Sequence, residues 1–554
     1  MDTVASHIAK TLRTHGTEYF FVLTGGDQAL WIALQQEGIK PILARSEASA
    51  VYMADGYARK SGKLGVVYGQ AGPGTANAAA ALADPYWGRS PVMLITTIAQ
   101  AATHYRNEYQ ELETDWMLEP VTEQAFRLPQ TSRIVDLLAR AMSIASSTGP
   151  TSISIPRDWM NRDIESGGLF ARADPDLATA PPWPSPHAVR EVAAALDAAE
   201  RPVLLVGAGG HRSASLEGLR ALVNQARLPV ISSVGGKGVF DEHDDHWVGV
   251  VGKYAGTVAN EIASQADLVL ALGTDLGGLE TDTYRLFAPA ARIIQVDLAA
   301  RLVGVGYPPD QGICADVGAF LEALTSQAMP QRRHDDWAAK AVAATRQWRQ
   351  ALADAPATTD AGLLTPYPVF EVLNEHASAI DVVADTGYMA AWTSVFFRTN
   401  SPGRSYFRAN GSLGWAFPAS LGVAMAGDTR RTVCVTGDGG FGYHVGDLET
   451  AARLKAPVIV IILNNSCLAF EYHSQRYKWG NNVVPAVNDF LDVDHAAVAA
   501  AFGIPSSRVE TAGELTTAFK AALEHDGPYV IDVVVDREEL APVTSFEQTM
   551  KRRL

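Results

Sequence analysis

Short runs of aliphatic and β-branched residues recur along the chain, and most lead through a small-residue turn into a stretch with apolar positions three and four apart. Such alternation predicts strand–turn–helix units, and strands that are apolar throughout predict parallel sheets covered on both faces. In the first third the strands read as Phe20–Leu23, Ile42–Ala44, Gly65–Tyr68 and Val92–Ile95. The middle third has Val203–Val206, Val230–Ile231, Leu268–Leu272 and Ile293–Val296. The last third has Val382–Val383, Thr432–Val435, Val458–Ile462 and Val530–Val534. Two stretches read as linkers. One is the proline-rich segment Ala171–Pro186, and the other runs from Gln327 to Thr365 through a polar stretch and an Ala-rich helix. The expected fold is therefore α/β, with three Rossmann-like domains at residues 1–170, 187–328 and 363–545.

Composition narrows the class. With 554 residues, 47% hydrophobic and 19% charged, the chain is long enough for several cores and too apolar for disorder. A formal charge of −16 argues against a nucleic-acid partner, which would be held by Lys and Arg on phosphates. The start, Met1-Asp2-Thr3-Val4, lacks the basic and apolar pattern of a signal peptide, and no apolar run reaches membrane-spanning length. The cytoplasm is the expected compartment, with no membrane partner. Cys314, Cys434 and Cys467 are far apart, or too few, for a metal knuckle or a disulfide framework.

The chemistry-bearing segment follows the strand Thr432–Val435. Gly437-Asp438-Gly439-Gly440-Phe441-Gly442 leads into a helix predicted at Val445–Leu454, and the next strand ends in Asn464-Asn465. Both ends of this unit fall at the carboxyl tips of parallel strands, where ligands of such sheets bind. Asp438 offers a hard anionic oxygen, Asn465 a carbonyl oxygen, and the Cys467 backbone carbonyl a third ligand. That set suits octahedral Mg²⁺ with phosphate oxygens and water filling the other positions. Gly437, Gly439 and Gly440 allow the backbone to approach a diphosphate closely. A Gly-rich turn without function is the bland alternative.

Gly437-Asp438-Gly439 with Asn465 following 27 residues after the aspartate resembles the signature of thiamine-diphosphate enzymes. From about residue 1 to 545 the plan is similar to the acetolactate synthase / pyruvate decarboxylase superfamily. The resemblance implies a pyrimidine-binding, a central and a diphosphate-binding domain, and the cofactors thiamine diphosphate and Mg²⁺. It also implies a site shared between subunits, so a homodimer is the smallest active unit and a homotetramer fits as well.

By the same resemblance, Glu47, within Arg45-Ser46-Glu47-Ala48, is the cofactor-activating carboxylate, although the family's usual His is Ser46 here. Gly72 and Asn77 belong to the loop Gly72-Pro73-Gly74-Thr75-Ala76-Asn77 at the pyrimidine edge. Gly411 would accept from the 4′-amino group, Leu413 would hold the cofactor bent, and Thr386, Gly387 and Tyr388 would flank the diphosphate. Gln110 resembles the Gln of acetolactate synthase-like enzymes that faces substrate. Glu471 stands six residues after Asn465, where the family's decarboxylases carry a glutamate. His444 and His473 are loosely held candidates, structural roles being commoner for lone histidines.

These residues imply a lyase or carboligase acting on a 2-oxo acid such as pyruvate, by decarboxylation to an enamine and ligation to a carbonyl acceptor. The alternatives are 2-hydroxyacyl-CoA lyase, simple 2-oxo acid decarboxylase, or a silent nucleotide-binding relative. In the middle domain, Gly207-Ala208-Gly209-Gly210-His211-Arg212 has Arg where a nicotinamide fingerprint needs Gly. Asp275 stands where FAD-binding relatives carry Arg, which weighs against FAD and leaves FAD or ADP open. The cluster Asp241–His246 is expected to be a polar surface loop.

Overall fold

The computed structural model describes residues 2–164, 180–213, 215–400, 403–427 and 429–544. The first expected linker lies largely among residues 165–179, outside the described residues. The second contains a long helix, Asp335–Ala353, whose Trp337 and Ala341 join the core of the middle domain. It is thus a packed element as well as a connection.

Three six-stranded, all-parallel sheets form, as the apolar runs require. Edge to edge, the first runs Lys40–Leu43, Tyr19–Val22, Gly65–Gly69, Val92–Ile98, Thr151–Pro156, Gln124–Arg127. The third runs Tyr406–Arg408, Ile380–Ala384, Arg431–Gly437, Val458–Asn464, Tyr529–Val534, Ser506–Val509. Numbered in chain order within each domain, both read 2-1-3-4-6-5. The middle sheet runs Gln311–Cys314, Arg292–Asp297, Leu268–Leu272, Pro202–Val206, Val230–Ser232, Trp247–Val250, the 3-2-1-4-5-6 order of dinucleotide-binding folds reversed in direction of reading.

In the third sheet Ala384 pairs with Val435, and Gly437 pairs with Leu463. This register brings the tips carrying Asp385, Asp438 and Asn465 to one end of the sheet. The order reverses between the strands ending at Ala384 and Gly437, so a crevice opens there.

The first and third domains share one apolar core through two helices, Glu47–Ser61 and Ala416–Met425. Ser46 caps the former by accepting from Ser49 N at 3.0 Å, and Gly62 ends it in a left-handed turn. The serine in place of the family's histidine thus serves as a helix cap. The helices cross with backbones in contact: a Cβ on Gly56 would overlap the Ala419 carbonyl, and one on Gly422 the Met53 carbonyl. Beside the crossing, partly buried Arg59 binds Asp55 at 2.6 Å and Asp84 at 3.0 Å, and Trp415 Nε1 donates to Asp55 at 2.9 Å.

The middle domain is tied to the third through Glu242. Its carboxylate binds fully buried Lys237 at 2.6 Å and accepts from Thr399 N at 3.1 Å. The rest of Asp241–His246 is engaged locally: Asp244 accepts from His246 N at 2.8 Å, and Asp245 pairs with Arg346 at 2.6 Å. No helix among the described residues is long and apolar enough to cross a membrane.

Gly422→Ala should lower stability by about 3 kcal/mol, because neither backbone can yield. Gly513→Ala, in the helix Ala512–Glu524 where an added methyl meets nothing, should leave stability unchanged or slightly raised. Urea midpoints for the two variants check this.

Candidate active site

The crevice of the third domain is a cavity of about 410 Å³ with Asp385, Thr386, Gly387, Leu413, Asp438 and Asn465 in its wall. Gly437, Gly439, Gly440, Cys467 and Glu471 line it too. The motif is more helical than expected. Asp438 opens a short helix, Asp438–Tyr443, and the second helix begins only at Asp447. Asp438, Gly439 and Gly440 of the short helix's first turn line the crevice, and the start of a helix is a favourable place for phosphate.

Asp438 is buried. One carboxylate oxygen accepts from Gly439 N at 2.8 Å, and the other has no partner among the described residues. Burial raises its pKa to about 6. A buried carboxylate oxygen left bare is costly, and a cation would offset that cost. Asn465 Oδ1 stands nearby on the adjoining loop, accepting from Cys467 N at 3.3 Å. Its neighbour Asn464 is used structurally, donating to Asp532 Oδ1 at 3.0 Å and to Val493 O at 3.0 Å. The donor set is two side-chain oxygens plus carbonyls, and it fits a hard divalent ion. No cluster of three or more His, Cys, Asp or Glu suited to a metal occurs among the described residues, so a softer ion has no competing site there.

The glycines are required by space at particular points. A methyl on Gly440 would press on the Asp385 carboxylate, and one on Gly439 on Leu468 and Phe490. Gly387 caps the helix Tyr388–Phe396 at a φ of 66°. The Tyr388 phenol turns away from the strand tips: it donates to Glu539 O at 2.8 Å and accepts from Ala541 N at 2.7 Å. Only its backbone end is left to meet a diphosphate.

Asp385, at the strand end just before Thr386, organises the crevice. It accepts from Thr386 N at 2.8 Å, Gly414 N at 3.0 Å and Thr436 Oγ1 at 2.9 Å. Burial raises its pKa to about 7 against those donors. Through Gly414 it fixes the loop carrying Gly411 and Leu413. The other end of that loop is held from the first domain: Asp84 accepts from Asn410 N and Ser412 N, both at 3.0 Å. Gly411 itself faces Trp87. Asp84 is an acid within an Ala-rich helix, Pro73–Gly88, and that mismatch was the available signal.

A second group gathers at strand tips of the first domain. Asn77 Nδ2 donates to Glu47 Oε2 at 3.2 Å, and Glu47 is 7% exposed. Gln70 Nε2 donates to Gln110 Oε1 at 3.1 Å, and a methyl on Gly72 would strike the Gln110 carbonyl. Glu47, Asn77, Gly72 and Gln110 therefore form one cluster. Within one chain that cluster does not share the cavity of Asp438. The two are bridged by His444 and Asp447, which both bond Ser49 Oγ, the histidine at 2.9 Å. Burial lowers the His444 pKa to about 4, so the ring is neutral. His473 is fully buried beside Tyr388 and Tyr477 and lies outside the cavity wall.

The middle domain has its own cavity, about 540 Å³, at the tips of its strands. There Arg89 from the first domain pairs with Asp297 at 3.3 Å and Asp275 at 3.6 Å. Arg212, Arg301 and Arg408 line the same cavity, Arg212 donating to the carbonyls of Arg89, Ser146 and Ser147.

Comparison with known proteins agrees with this arrangement. Residues 2–117 match the N-terminal TPP binding domain of thiamine pyrophosphate enzymes, 189–324 the central domain, and 385–533 the C-terminal TPP binding domain. A probable acetolactate synthase large subunit of Methanocaldococcus jannaschii is 28% identical over 97% of this chain and 93% of its own length. Acetolactate synthase of Bacillus subtilis is 28% identical over 96% and 93%. The acetolactate synthase isozyme 1 large subunit of Escherichia coli is 27% identical over 97% and 94%. With each of its three sheet domains matched in turn, the chain belongs to the thiamine pyrophosphate enzymes.

Proposed function

We propose that this protein is a thiamine-diphosphate-dependent lyase or carboligase that takes a 2-oxo acid such as pyruvate as donor and joins it to a carbonyl acceptor. The observation that carries this reading is the buried, half-bare carboxylate of Asp438, set beside Asn465 at the reversal point of the third sheet. Likeness to acetolactate synthases over nearly the whole chain supports the substrate class.

In this reading Asp438, Asn465 and the Cys467 carbonyl would hold Mg²⁺, and the glycines with the Gly387 turn would receive the diphosphate. Leu413 and the Gly411 carbonyl would fix the bend of the cofactor, kept in place by Asp385 and Asp84. When bound, thiamine diphosphate supplies an acidic ring carbon that adds to the carbonyl and accepts the charge released with CO₂. Glu47 would hold a proton against the pyrimidine N1′, its carboxylate oriented by Asn77. Gln110 would contact substrate. Glu471, at the cavity mouth, would move a proton to or from the reacting carbon or acceptor oxygen. Against FAD or ADP at the middle tips stands the pairing of Arg89 with Asp275 and Asp297.

The functional unit is a homodimer at least. Glu47 of one chain would complete the Asp438 cavity of a second, since a single chain holds the two apart. Trp87, Tyr109, Trp116, Tyr443 and Trp479 are 62–78% exposed in the single chain, as expected of a surface a partner covers. A 2-hydroxyacyl-CoA donor would use the same groups.

Glu47→Gln should retain cofactor and Mg²⁺ yet slow exchange of the cofactor C2 proton for deuterium by about 100-fold or more. Asp438→Ala should lose Mg²⁺-dependent cofactor binding by at least about 100-fold in calorimetry. Unchanged exchange, or unchanged binding, removes the respective assignment. Neither variant should be active alone, but their co-refolded mixture should recover about a quarter of the wild-type sites, because each mixed dimer owns one intact site. A mixture that stays inactive while forming mixed dimers would place both residues in one chain's site. Glu471→Gln should change the ratio of aldehyde to ligated product from pyruvate, read by NMR; a constant ratio would take it out of the reaction.

A further inference from the structure

The wall of the Asp438 cavity has one contributor from outside the third domain. Tyr254 belongs to the middle domain, on the loop between the strand Trp247–Val250 and the helix Thr257–Gln265, yet it lines the same cavity as Glu471. Its ring meets Phe470, the residue before Glu471, edge to face at 5.8 Å. This inference rests on the reading of that cavity as a 2-oxo acid site.

The loop is held from several directions. Gly252 exchanges two hydrogen bonds with the Asn260 side chain, at 2.9 and 3.0 Å. Ser394 Oγ, in the third domain, donates to the Tyr254 carbonyl at 2.5 Å. Thr544 N donates to the Ala255 carbonyl at 2.9 Å. Gly252 has a φ of 103°, and a methyl there would strike the Leu279 carbonyl. This anchoring, in a loop that is mostly buried, fixes where the tyrosine ring stands, which is what a recognition group needs. Its hydroxyl forms no hydrogen bond to any described residue, unlike Tyr388 in the same wall.

Charge explains what such a hydroxyl is for. A 2-oxo acid brings a carboxylate into a cavity whose mouth already carries Glu471, and two carboxylates repel. A neutral donor in the wall beside Glu471 adds no further negative charge there, and a hydrogen bond from it to the substrate carboxylate would offset that repulsion. Burial, with the nearby Glu471 charge adding and Arg408 opposing, raises the Tyr254 pKa, so the phenol keeps its proton and donates.

We propose that Tyr254 is a specificity-determining residue: its hydroxyl donates a hydrogen bond to the carboxylate of the 2-oxo acid, and the middle domain thereby takes part in choosing the substrate.

The kinetic test uses the full-length holoenzyme with pyruvate and larger 2-oxo acids, and the spectroscopic test uses the full-length chain without cofactor so that pyruvate is not consumed. Tyr254→Phe, which keeps the ring against Phe470, should raise KM for the 2-oxo acid about 10-fold or more, the effect of one lost hydrogen bond to a charged carboxylate, with kcat and thiamine diphosphate affinity little changed. In apo protein carrying 3-fluorotyrosine at position 254, the fluorine resonance should move on Glu471→Gln and again on adding pyruvate. An unchanged KM, or a fluorine signal indifferent to both, overturns the proposal. If the wild type turns over no 2-oxo acid, the cavity reading falls and this inference with it. If turnover and the Glu471→Gln product shift are as expected but Tyr254→Phe is silent, only the role of Tyr254 falls.

Discussion

The backbone contact between the helices Glu47–Ser61 and Ala416–Met425 is the constraint on which the molecule depends. Without side chains at Gly56 and Gly422 the two helices close to carbonyl distance, and the first and third domains then share one core. The polar groups at this junction are satisfied across it. Buried Asp55 and Asp84 share the partly buried Arg59, and Asp84 uses its remaining capacity on the backbone of Asn410 and Ser412. The loop that carries Gly411 and Leu413 is thus an extension of the domain contact. Asp385 grips its other end, so the ligand-facing loop is held at both sides before anything binds.

Much of the fold was legible because central strands of a parallel sheet are apolar on both faces. The strands read from sequence are mainly the inner ones. The missed strands Gln124–Arg127, Trp247–Val250, Gln311–Cys314, Tyr406–Arg408 and Ser506–Val509 all lie at sheet edges. There one side faces no neighbour, strands are short, and polar residues such as Gln124, Arg127, Gln311 and Ser506 break the apolar run. Thr151–Pro156 is interior but escaped notice because Thr151, Ser152 and Ser154 are buried polar residues within it.

The site was legible where chemistry is local. Asp438 and Asn465 follow adjacent strands, so their spacing carries the geometry. Glu47 has no such local frame, and only resemblance pointed to it. Asp84, Asp385 and Tyr254 act on residues far away in sequence, and nothing in their neighbours announces the partner. The glycine-rich motif was read as a ligand cradle ahead of a helix at Val445–Leu454, and it forms a short helix of its own, since packing of Phe441 against Phe417 and His495 outweighs the poor helical propensity of Gly439, Gly440 and Gly442.

The shared 2-1-3-4-6-5 order of the outer sheets has a consequence for ancestry and engineering alike. A cleft built where two like-wound modules present their strand tips to each other needs both modules, but not in any given succession along a polypeptide. In the proposed dimer site, the linear arrangement here is one permutation of a layout whose halves could be transposed, or encoded as separate polypeptides, and would still meet in the same way.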